Sequence, residues 1–516
     1  MVAQLEWART SRRPYADTTN QFGIRSNTVA HGFAAKGYTP ITESLRQAAA
    51  SLPVGASERN QVVLVSDGEE TCAGDPCALA AQLAASDVKL VIHAIGLAVD
   101  NATRAQLQCI ARVSNGTYRD ATNAGELSSA LEQAARESTA RALKEIQRPS
   151  SIAFSPDGQF VYITASGSEA LFVFRRDTSA GKLTFVEMHK NGVAGVKGLD
   201  GANSVAVSPD GRNVYAIGLS DDAIVTFTRN TTTGALTWVA MHKDGVGGVD
   251  GLNEANFVTL SPDGKHVYVT SSEDDALVVF TRNATTGALT FAKMYKHGVG
   301  GVDGLNRVMS ATVSPDGKFL YTTSDPSSRD DPVVLFRRDA NPGLLTFVRA
   351  YKDDVDGVDG LQGGRAVVVS ADLRHLYVTG RIDSAVTVFA RNLDTGALTF
   401  VQTLKNRVGN AAFSNLDGAR GLAISPDGQF VYVSADVINT LIVFKRDSTT
   451  GALTFTQMLR DNADGVDGLE NAHVVAVSPD GKHVYVPGFD DNAVAVFNRD
   501  ASAGSLSFVQ AVKEAK

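Results

Sequence analysis

The chain has 516 residues, 43% of them apolar, and a formal net charge of −8 with a pI near 5.6. This size and composition are sufficient for two domains with large cores. The acidic balance, without any Lys/Arg stripe, argues against a nucleic-acid partner, and no apolar run is long enough to span a bilayer.

Residues 1–135 are predicted to form an α/β domain. From residue 38 onward the chain alternates the helix TPITESLRQAAASL, the buried strand NQVVLVSDGEE, the helix ALAAQLAAS, the strand VKLVIHAIG, and the helices TRAQLQCIARV and AGELSSALEQAARES. Such alternation is typical of a parallel sheet covered by helices. Residues 136–149 are predicted to complete the last helix and to link it to the second domain.

The segments GYTPI, VSDGEET, IHAIGLAVD and the Leu-Gln-Cys-Ile-Ala helix resemble the later part of a von Willebrand factor A-type domain. The resemblance implies a divalent-cation site, in which Thr39 and Asp67 match the Thr and the Asp of the family's adhesion site and offer oxygen ligands suited to Mg²⁺. The family's DxSxS motif has no counterpart here, so the chain is expected to begin inside such a domain. Alternatively, Asp67 only caps the turn after its strand.

All three cysteines lie in this domain, Cys72 and Cys77 in the loop TCAGDPC and Cys109 in QLQCIA. A disulfide between two of the three would favour a periplasmic or extracellular location, although the first residues lack the apolar stretch of a secretory signal. Free buried thiols are the alternative. A C-x4-C pair without a nearby His makes a weak zinc site.

Residues 150–516 contain seven copies of one pattern, spaced by 53 to 56 residues. The marker SPDG, or SADL in the fifth copy, begins at Ser155, Ser208, Ser261, Ser314, Ser370, Ser425 and Ser478. Each copy contains four short runs rich in β-branched and aromatic residues, separated by Pro-Asp-Gly and Thr-Thr-Gly turns. The repeat predicts a mainly β protein, with a seven-bladed β-propeller preceded by the partial α/β domain.

Successive strands of a blade are antiparallel, so the SPDG and TTGAL turns lie on one rim and the long blade-to-blade connections lie on the other. The densest connections, DDVDGVDG and DNADGVDG, interleave carboxylates with glycine, as Ca²⁺ sites do. The candidate ligands are Asp354, Asp356, Asp359, Asp464 and Asp467. The alternative is that Asp and Gly serve only as turn residues.

Three histidines follow the SPDG or SADL turn directly, on the rim opposite the acids. They are predicted to be surface strand residues: His266, His375 and His483.

Five residues before the marker, at the mouth of the innermost strand, the residue type varies from copy to copy. The seven residues are Ser150, Asn203, Asn256, Met309, Arg365, Arg420 and His473. Variation at a position facing a central channel indicates blades fitted individually to a ligand. We therefore predict ligand binding by Asn203, Asn256, Arg365, Arg420 and His473, the alternative being that they only solvate the channel mouth.

The strings SPDGQFVYVSAD and SPDGKHVYVPGFDDNAVAVF are similar to the seven-bladed lactonase family, which is 6-phosphogluconolactonase-like with YVTN-type repeats, over residues 150–516. The resemblance implies a channel site made of a His, an Arg from the next blade and a Glu at the end of that blade's second strand. Arg420 matches the Arg, and Asp436 stands at the Glu position with a shorter side chain. Arg365 occupies the position of the His, and His473 lies one blade beyond Arg420.

Two hypotheses follow. The main one is an exported, non-enzymatic binding or scaffold protein, without an organic cofactor, whose acidic rim and channel mouth engage a protein, carbohydrate or small-molecule ligand with the help of Ca²⁺. The alternative is a lactone hydrolase that uses Arg420, Asp436 and His473 as catalytic residues. The missing His at position 365 and the adhesion-like first domain favour the main hypothesis, because general acid–base assistance commonly contributes about 10²- to 10⁴-fold.

Overall fold

The computed structural model describes residues 2–5, 40–50, 61–86, 88–131, 133, 144–325, 332–406 and 416–513. They belong to two compact units, one centred on residues 1–142 and one on residues 143–516. No helix in these described ranges combines the length and the hydropathy needed to cross a membrane.

The first unit is a four-stranded parallel sheet with helices between its strands. Its elements are β1 (Val2–Leu5), α1 (Ile41–Ala50), β2 (Gln61–Ser66), α2 (Pro76–Ala85), β3 (Val91–Leu97), α3 (Asn101–Val113) and β4 (Tyr118–Ala121). The sheet order is β1-β2-β3-β4, with every pair parallel. Strands β2 and β3 are buried along most of their length, because parallel strands covered by helices need apolar side chains on both faces.

Helices α2 and α3 each begin at a capping aspartate and are joined by a disulfide. Asp75 and Asp100 accept hydrogen bonds from backbone N–H groups in the first turns of α2 and α3. Cys77 of α2 is bonded to Cys109 of α3, 32 residues further on, and Cys72 is free and exposed. Of the three pairings that the sequence left open, the structure shows the one that joins the TCAGDPC loop region to α3.

The second unit is a propeller of seven four-stranded antiparallel sheets, which confirms the seven-bladed prediction. Blades 1 to 3 are β5 (Pro149–Phe154), β6 (Phe160–Ala165), β7 (Ala170–Arg176), β8 (Leu183–Lys190); β9 (Ala202–Val207), β10 (Asn213–Gly218), β11 (Ala223–Arg229), β12 (Leu236–Lys243); and β13 (Ala255–Leu260), β14 (His266–Ser271), β15 (Ala276–Arg282), β16 (Leu289–Lys296).

Blades 4 and 5 are β17 (Val308–Val313), β18 (Phe319–Ser324), β19 (Val333–Arg338), β20 (Leu345–Tyr351); and β21 (Gly364–Val369), β22 (His375–Gly380), β23 (Ala385–Arg391), β24 (Leu398–Lys405). Blades 6 and 7 are β25 (Ala419–Ile424), β26 (Phe430–Ala435), β27 (Thr440–Arg446), β28 (Leu453–Arg460); and β29 (Ala476–Val477), β30 (His483–Gly488), β31 (Ala493–Arg499), β32 (Leu506–Val512). Innermost strands of successive blades contact one another, and β30 contacts β5 to close the ring.

One repeated set of hydrogen bonds, which we call the lock, joins each blade to the next. At the junction of blades 2 and 3, Arg282 Nε donates to Tyr215 Oη over 2.9 Å, and Tyr215 Oη donates to the carbonyl of Gly287 over 2.8 Å. Arg282 Nη2 also reaches Asp210 of the SPDG turn at 2.7 Å. Gly287 has a positive φ of 78°, and any Cβ there would lie 2.0 Å from Asn213, so both backbone and space require glycine.

The same Arg–Tyr bond joins all seven pairs of neighbouring blades, including blades 7 and 1. The pairs are Arg176–Tyr485, Arg229–Tyr162, Arg282–Tyr215, Arg338–Tyr268, Arg391–Tyr321, Arg446–Tyr377 and Arg499–Tyr432. All seven tyrosines are fully buried.

The prediction that three histidines are surface residues is wrong. His266, His375 and His483 are buried, and Nδ1 of each lies within hydrogen-bonding distance of Nη2 of an inter-blade arginine. Each histidine belongs to the repeated lock, and an arginine of the next blade covers it.

Candidate functional site at the channel mouth

In six of the seven blades a β-bulge places the variable residue of the innermost strand at the channel mouth. In blades 1 to 6 the strand pairing skips this residue, as at Arg365, where Gly364 and Ala366 pair with successive residues of β22. A bulge leaves the extra residue unpaired and redirects its side chain. The seven residues named from the repeat therefore form a ring around the axis, which we call the inner ring.

A second ring follows at a fixed offset. Sixteen residues after each inner-ring residue the chain leaves the second strand of the blade, on the same rim as the start of the innermost strand. The residues at this position are Ser166, Leu219, Ser272, Asp325, Arg381, Asp436 and Phe489. Blades 4 to 7 thus carry all of its charged and aromatic members.

On one side of the inner ring, the polar side chains donate hydrogen bonds to backbone carbonyls of the protein itself. Ser150 Oγ donates to the carbonyl of Ala202 over 2.9 Å, and Asn203 Nδ2 donates to the carbonyl of Asn256 over 2.9 Å. Asn256 Nδ2 donates to the Glu254 carbonyl over 3.0 Å. These side chains hold the backbone of the ring, so ligand binding by Asn203 and Asn256 stays a prediction.

The opposite side of the ring is a cluster of arginines around a buried carboxylate. Asp436 is 1% exposed at its side chain, and its Oδ2 accepts hydrogen bonds from Arg420 Nη1 at 3.0 Å and Arg381 Nε at 2.7 Å. Arg365 forms an ion pair with Asp325 of the preceding blade. The structure therefore brings Arg365, Arg420 and Asp436 together, as the sequence predicted, and adds Arg381 and Asp325.

The charge of this cluster is not balanced. Three guanidiniums face two carboxylates, which leaves one net positive charge. Burial and the neighbouring charge of Arg365 lower the pKa of Arg420 to about 10, and burial lowers the pKa of Arg365. Among the described residues, Arg365 Nε and Asp436 Oδ1 are buried without a hydrogen-bond partner. A buried cationic cluster with an unused donor is suited to bind an anionic group.

His473 completes the cluster from blade 7. Its ring is stacked on Phe489, with centroids 4.4 Å apart and planes inclined by 13°. Burial first, and then the charges of Arg420, Arg365 and Arg381, lower the pKa of His473 to about 2. The imidazole is therefore neutral at neutral pH, and a neutral ring nitrogen can accept a proton or a hydrogen bond.

The acidic connections contain two clusters of carboxylates. Carboxylate oxygens of Asp353, Asp354 and Asp359 lie within 4.8 Å of one another, as do those of Asp461, Asp467 and Asp491. Cationic side chains and backbone N–H groups already engage most of these acids. Lys405 binds Asp359, Lys513 binds Asp467, and Arg349 binds Asp356, whereas Asp353 and Asp461 accept backbone N–H groups.

Asp464 is exposed on its connection, and Asp354 belongs to the first of the two acidic clusters. Calcium binding at Asp354, Asp356, Asp359, Asp464 and Asp467 stays a prediction.

Thr39 lies outside the described residues, and Asp67 is exposed directly after β2. No group of three possible ligands in the described ranges includes Asp67, so the divalent-cation site and the von Willebrand A-like relation of the first unit also stay predictions.

The functional residues missed by sequence reasoning are Asp325, Arg381 and Phe489. All three belong to the second ring, and an alignment of the copies at that position, sixteen residues beyond the inner ring, would have found them. Only Asp436 was recognised there, through a family resemblance.

Comparison with known proteins identifies the repeat. The family model described as "Lactonase, 7-bladed beta-propeller" matches residues 117–247, 188–300, 239–358 and 402–515, which together cover more than half of the chain. A 6-phosphogluconolactonase of Pectobacterium carotovorum subsp. carotovorum (strain PC1) is 23% identical over 303 residues, 58% of this chain and 80% of that protein. One of Enterobacter sp. (strain 638) is 25% identical over 290 residues, 55% of this chain and 77% of that protein.

Among solved structures, the periplasmic gluconolactonase PpgL of Pseudomonas aeruginosa has a TM-score of 0.53 at 22% identity, covering 66% of this chain and 92% of that one. This structural likeness shows the fold alone. The hypothesis of a non-enzymatic binding or scaffold protein is contradicted by the family match and by the names of the 6-phosphogluconolactonase relatives, and the lactone hydrolase alternative is favoured over it.

Proposed function

The chain belongs to the seven-bladed β-propeller lactonase family, and from this we propose that it is a carboxylic ester hydrolase that opens a lactone at the mouth of the propeller channel. The observation that carries the proposal is the cluster at the channel mouth, in which Arg365, Arg381 and Arg420 lie beside neutral His473. It supplies both a proton acceptor and fixed positive charge, the two elements that lactone hydrolysis needs.

In the proposed reaction a water molecule adds to the carbonyl carbon of the lactone, and the proton that it loses passes to the imidazole of His473. The carbonyl oxygen takes up negative charge, which the guanidiniums of Arg365 and Arg420 stabilise. Collapse of the tetrahedral intermediate breaks the ring C–O bond. The imidazolium returns the proton to the leaving alkoxide, so the product is the open hydroxy acid.

Asp436 has a supporting role in this scheme. Its buried carboxylate accepts hydrogen bonds from Arg381 and Arg420 and so fixes both guanidiniums before the substrate arrives. Donors held in place by the protein do not need to reorganise as the oxyanion forms. We therefore assign Asp436 to orientation and Arg420 to direct contact with the substrate.

The net positive charge of the cluster supports a lactone that carries an anionic group. Binding such a group places negative charge near His473 and counteracts the three arginines, which are the second cause of its low pKa after burial. The proposed proton transfer requires this gain in basicity. The relatives named 6-phosphogluconolactonase support a sugar-acid lactone with a phosphate. The test substrates are therefore glucono-δ-lactone and its 6-phosphate.

The experiment compares Arg420→Ala with Arg374→Ala. Arg374 is an exposed arginine of blade 5 on the opposite rim, so it controls for the loss of one positive charge. We expect Arg420→Ala to lower kcat/KM by at least about 10²-fold, Arg420→Lys to retain part of the activity, and Arg374→Ala to behave as wild type. Equal turnover by wild type and Arg420→Ala would exclude this site. Absence of turnover in wild type for both lactones would contradict the proposed function.

We also propose that the protein works in the periplasm or outside the cell. A disulfide between Cys77 and Cys109 supports an oxidising compartment, and one structural relative is named a periplasmic gluconolactonase. The test is fractionation of the native host followed by thiol labelling. Recovery of the chain only in the cytoplasmic fraction, with three reactive thiols, would contradict the location.

A further inference from the structure

We propose that Phe489 is a positioning residue, which fixes the plane of the His473 imidazole at the channel mouth. The catalytic consequence rests on the proposed function, whereas the geometry can be measured without any activity. Phe489 is the only aromatic member of the second ring, whose other positions hold Ser, Leu, Asp or Arg.

The backbone of blade 7 explains why His473 needs this support. Regular pairing of β29 with β30 covers only Ala476 and Val477, preceded by a single bridge between Ala472 and Gly488. Residue 487 is a proline, which has no N–H to donate to the innermost strand. The ladder that runs past the inner-ring residue in the other blades is therefore interrupted at His473.

Two hydrogen bonds hold the backbone of His473. Its N–H donates to the carbonyl of Pro487 over 3.0 Å, and its carbonyl accepts from the hydroxyl of Ser434 in blade 6. Neither bond orients the imidazole. The contact that does so is the parallel stack on Phe489, since rotation of the imidazole about its bond to Cβ would tilt the two planes apart.

Phe489 is itself held at the closing junction of the propeller. Its N–H donates to the carbonyl of Asn471 over 3.2 Å, and the guanidinium carbon of Arg148 lies 5.6 Å from its ring centroid. Arg148 is anchored in turn, because its N–H donates to Asn492 Oδ1 over 2.8 Å. Residues from both sides of the junction of blades 7 and 1 thus secure the ring against which His473 rests.

The stack has two consequences for the site. It keeps the edge of the imidazole, where the two nitrogens lie, in one direction, and it covers one face with an apolar ring. That cover adds to the burial which is the first cause of the low pKa of His473. Phe489 thus prepares a neutral, oriented nitrogen next to the arginine cluster.

The test compares Phe489→Leu, which keeps an apolar side chain but removes the ring, with Phe489→Tyr, which keeps the ring. Phe508→Leu is the matched control, the same substitution on the outermost strand of the same blade. In ¹H–¹³C spectra, with the His473 signals assigned by His473→Gln, we expect an upfield ring-current shift in wild type, Phe489→Tyr and Phe508→Leu. We expect that shift to be lost in Phe489→Leu.

The kinetic expectation for Phe489→Leu is a fall in kcat of about 10- to 100-fold, because a displacement of about 1 Å can cost that much. KM should stay within about 2-fold, since the arginines that bind the substrate are unchanged, and Phe489→Tyr should recover kcat. A structural defect alone would lower the folded fraction without this division between kcat and KM.

Identical His473 signals in wild type and Phe489→Leu would overturn the proposal, because no stack would then exist in solution. A shifted signal with unchanged kcat would overturn it as well, since the fixed plane would have no effect on the reaction. Failure of the proposed function is distinguishable: wild type would show the ring-current shift but no lactone turnover, which would support the stack and remove the hydrolase.

Discussion

Arg420 of β25 and Asp436, directly after the neighbouring strand β26, lie sixteen residues apart in blade 6, and Arg420 Nη1 is 3.0 Å from Asp436 Oδ2. The same oxygen accepts from Arg381 of blade 5. One carboxylate, almost completely buried, therefore connects two blades and orients two guanidiniums. We therefore expect Asp436 to affect both the stability of the propeller and the proposed reaction.

Replacing Asp436 by Ala should lower the free energy of unfolding by about 1–3 kcal/mol, because two guanidiniums lose their acceptor. It should also lower kcat/KM for lactone hydrolysis, since Arg420 is no longer held. Asp436→Glu should retain more activity than Asp436→Asn, because it keeps the charge. Urea unfolding measures the loss of stability, and initial rates measure the loss of kcat/KM. The control is Asp394→Asn, at an exposed acid on the opposite rim. A stability loss of the same size in that variant would argue against a specific role of Asp436.

The propeller could be predicted from sequence because its determinants are local. The SPDG turn, the alternation of each strand and the Thr-Thr-Gly turn recur within every 53 to 56 residues, so blade number follows from counting them. The inner ring could be predicted for the same reason, since a repeat makes a variable position visible against constant neighbours. Arg365, Arg420 and His473 were found in this way.

Contacts between blades could not be predicted from such patterns. His375 follows a turn in an alternating strand, which suggests a surface position, yet Arg446 of the next blade reaches across and buries it. The meeting of Arg381 with Asp436 depends on the angle between blades 5 and 6, which no local motif encodes. The non-enzymatic hypothesis, which the family match contradicts, treated His473 as one blade out of place. In the structure the ring of His473 lies close enough to Arg420 and Arg365 for their charges to lower its pKa.

Tyr215→Phe tests the lock between blades 2 and 3. The hydroxyl of Tyr215 accepts from Arg282 Nε and donates to the Gly287 carbonyl, so its removal leaves a buried donor and a buried acceptor unpaired. The expected cost is about 1–3 kcal/mol of unfolding free energy, seen as a lower Tm, with kcat/KM for the lactone unchanged. Thr281→Ala, on the exposed face next to Arg282, should leave Tm within experimental error. Equal Tm values for wild type and Tyr215→Phe would refute the lock.

The disulfide between Cys77 and Cys109 predicts one free thiol per chain. Unfolded, non-reduced protein should react with one equivalent of a thiol reagent at Cys72 and with three equivalents after reduction. Replacing Cys77 and Cys109 together by Ser should destabilise the first unit by about 2–4 kcal/mol and leave the propeller transition in place. Cys72→Ser should have no effect on either transition. Three reactive thiols before reduction would show that the bond is absent.

His473 should make the protein less stable in acid. Burial and the neighbouring arginines lower its pKa from 6.5 to about 2 in the folded state, so between these two values the unfolded chain binds a proton that the folded chain does not. Unfolding free energy therefore falls as pH drops below about 6.5, and above that pH the residue contributes no slope. His266, His375 and His483, whose pKa values are lowered in the same direction, add to the effect.

His473→Gln should lose less stability than wild type between pH 7 and pH 5 when both are unfolded with urea. Parallel losses in the two proteins would mean that folding does not lower the pKa of His473, contrary to the burial of its ring beside the arginine cluster.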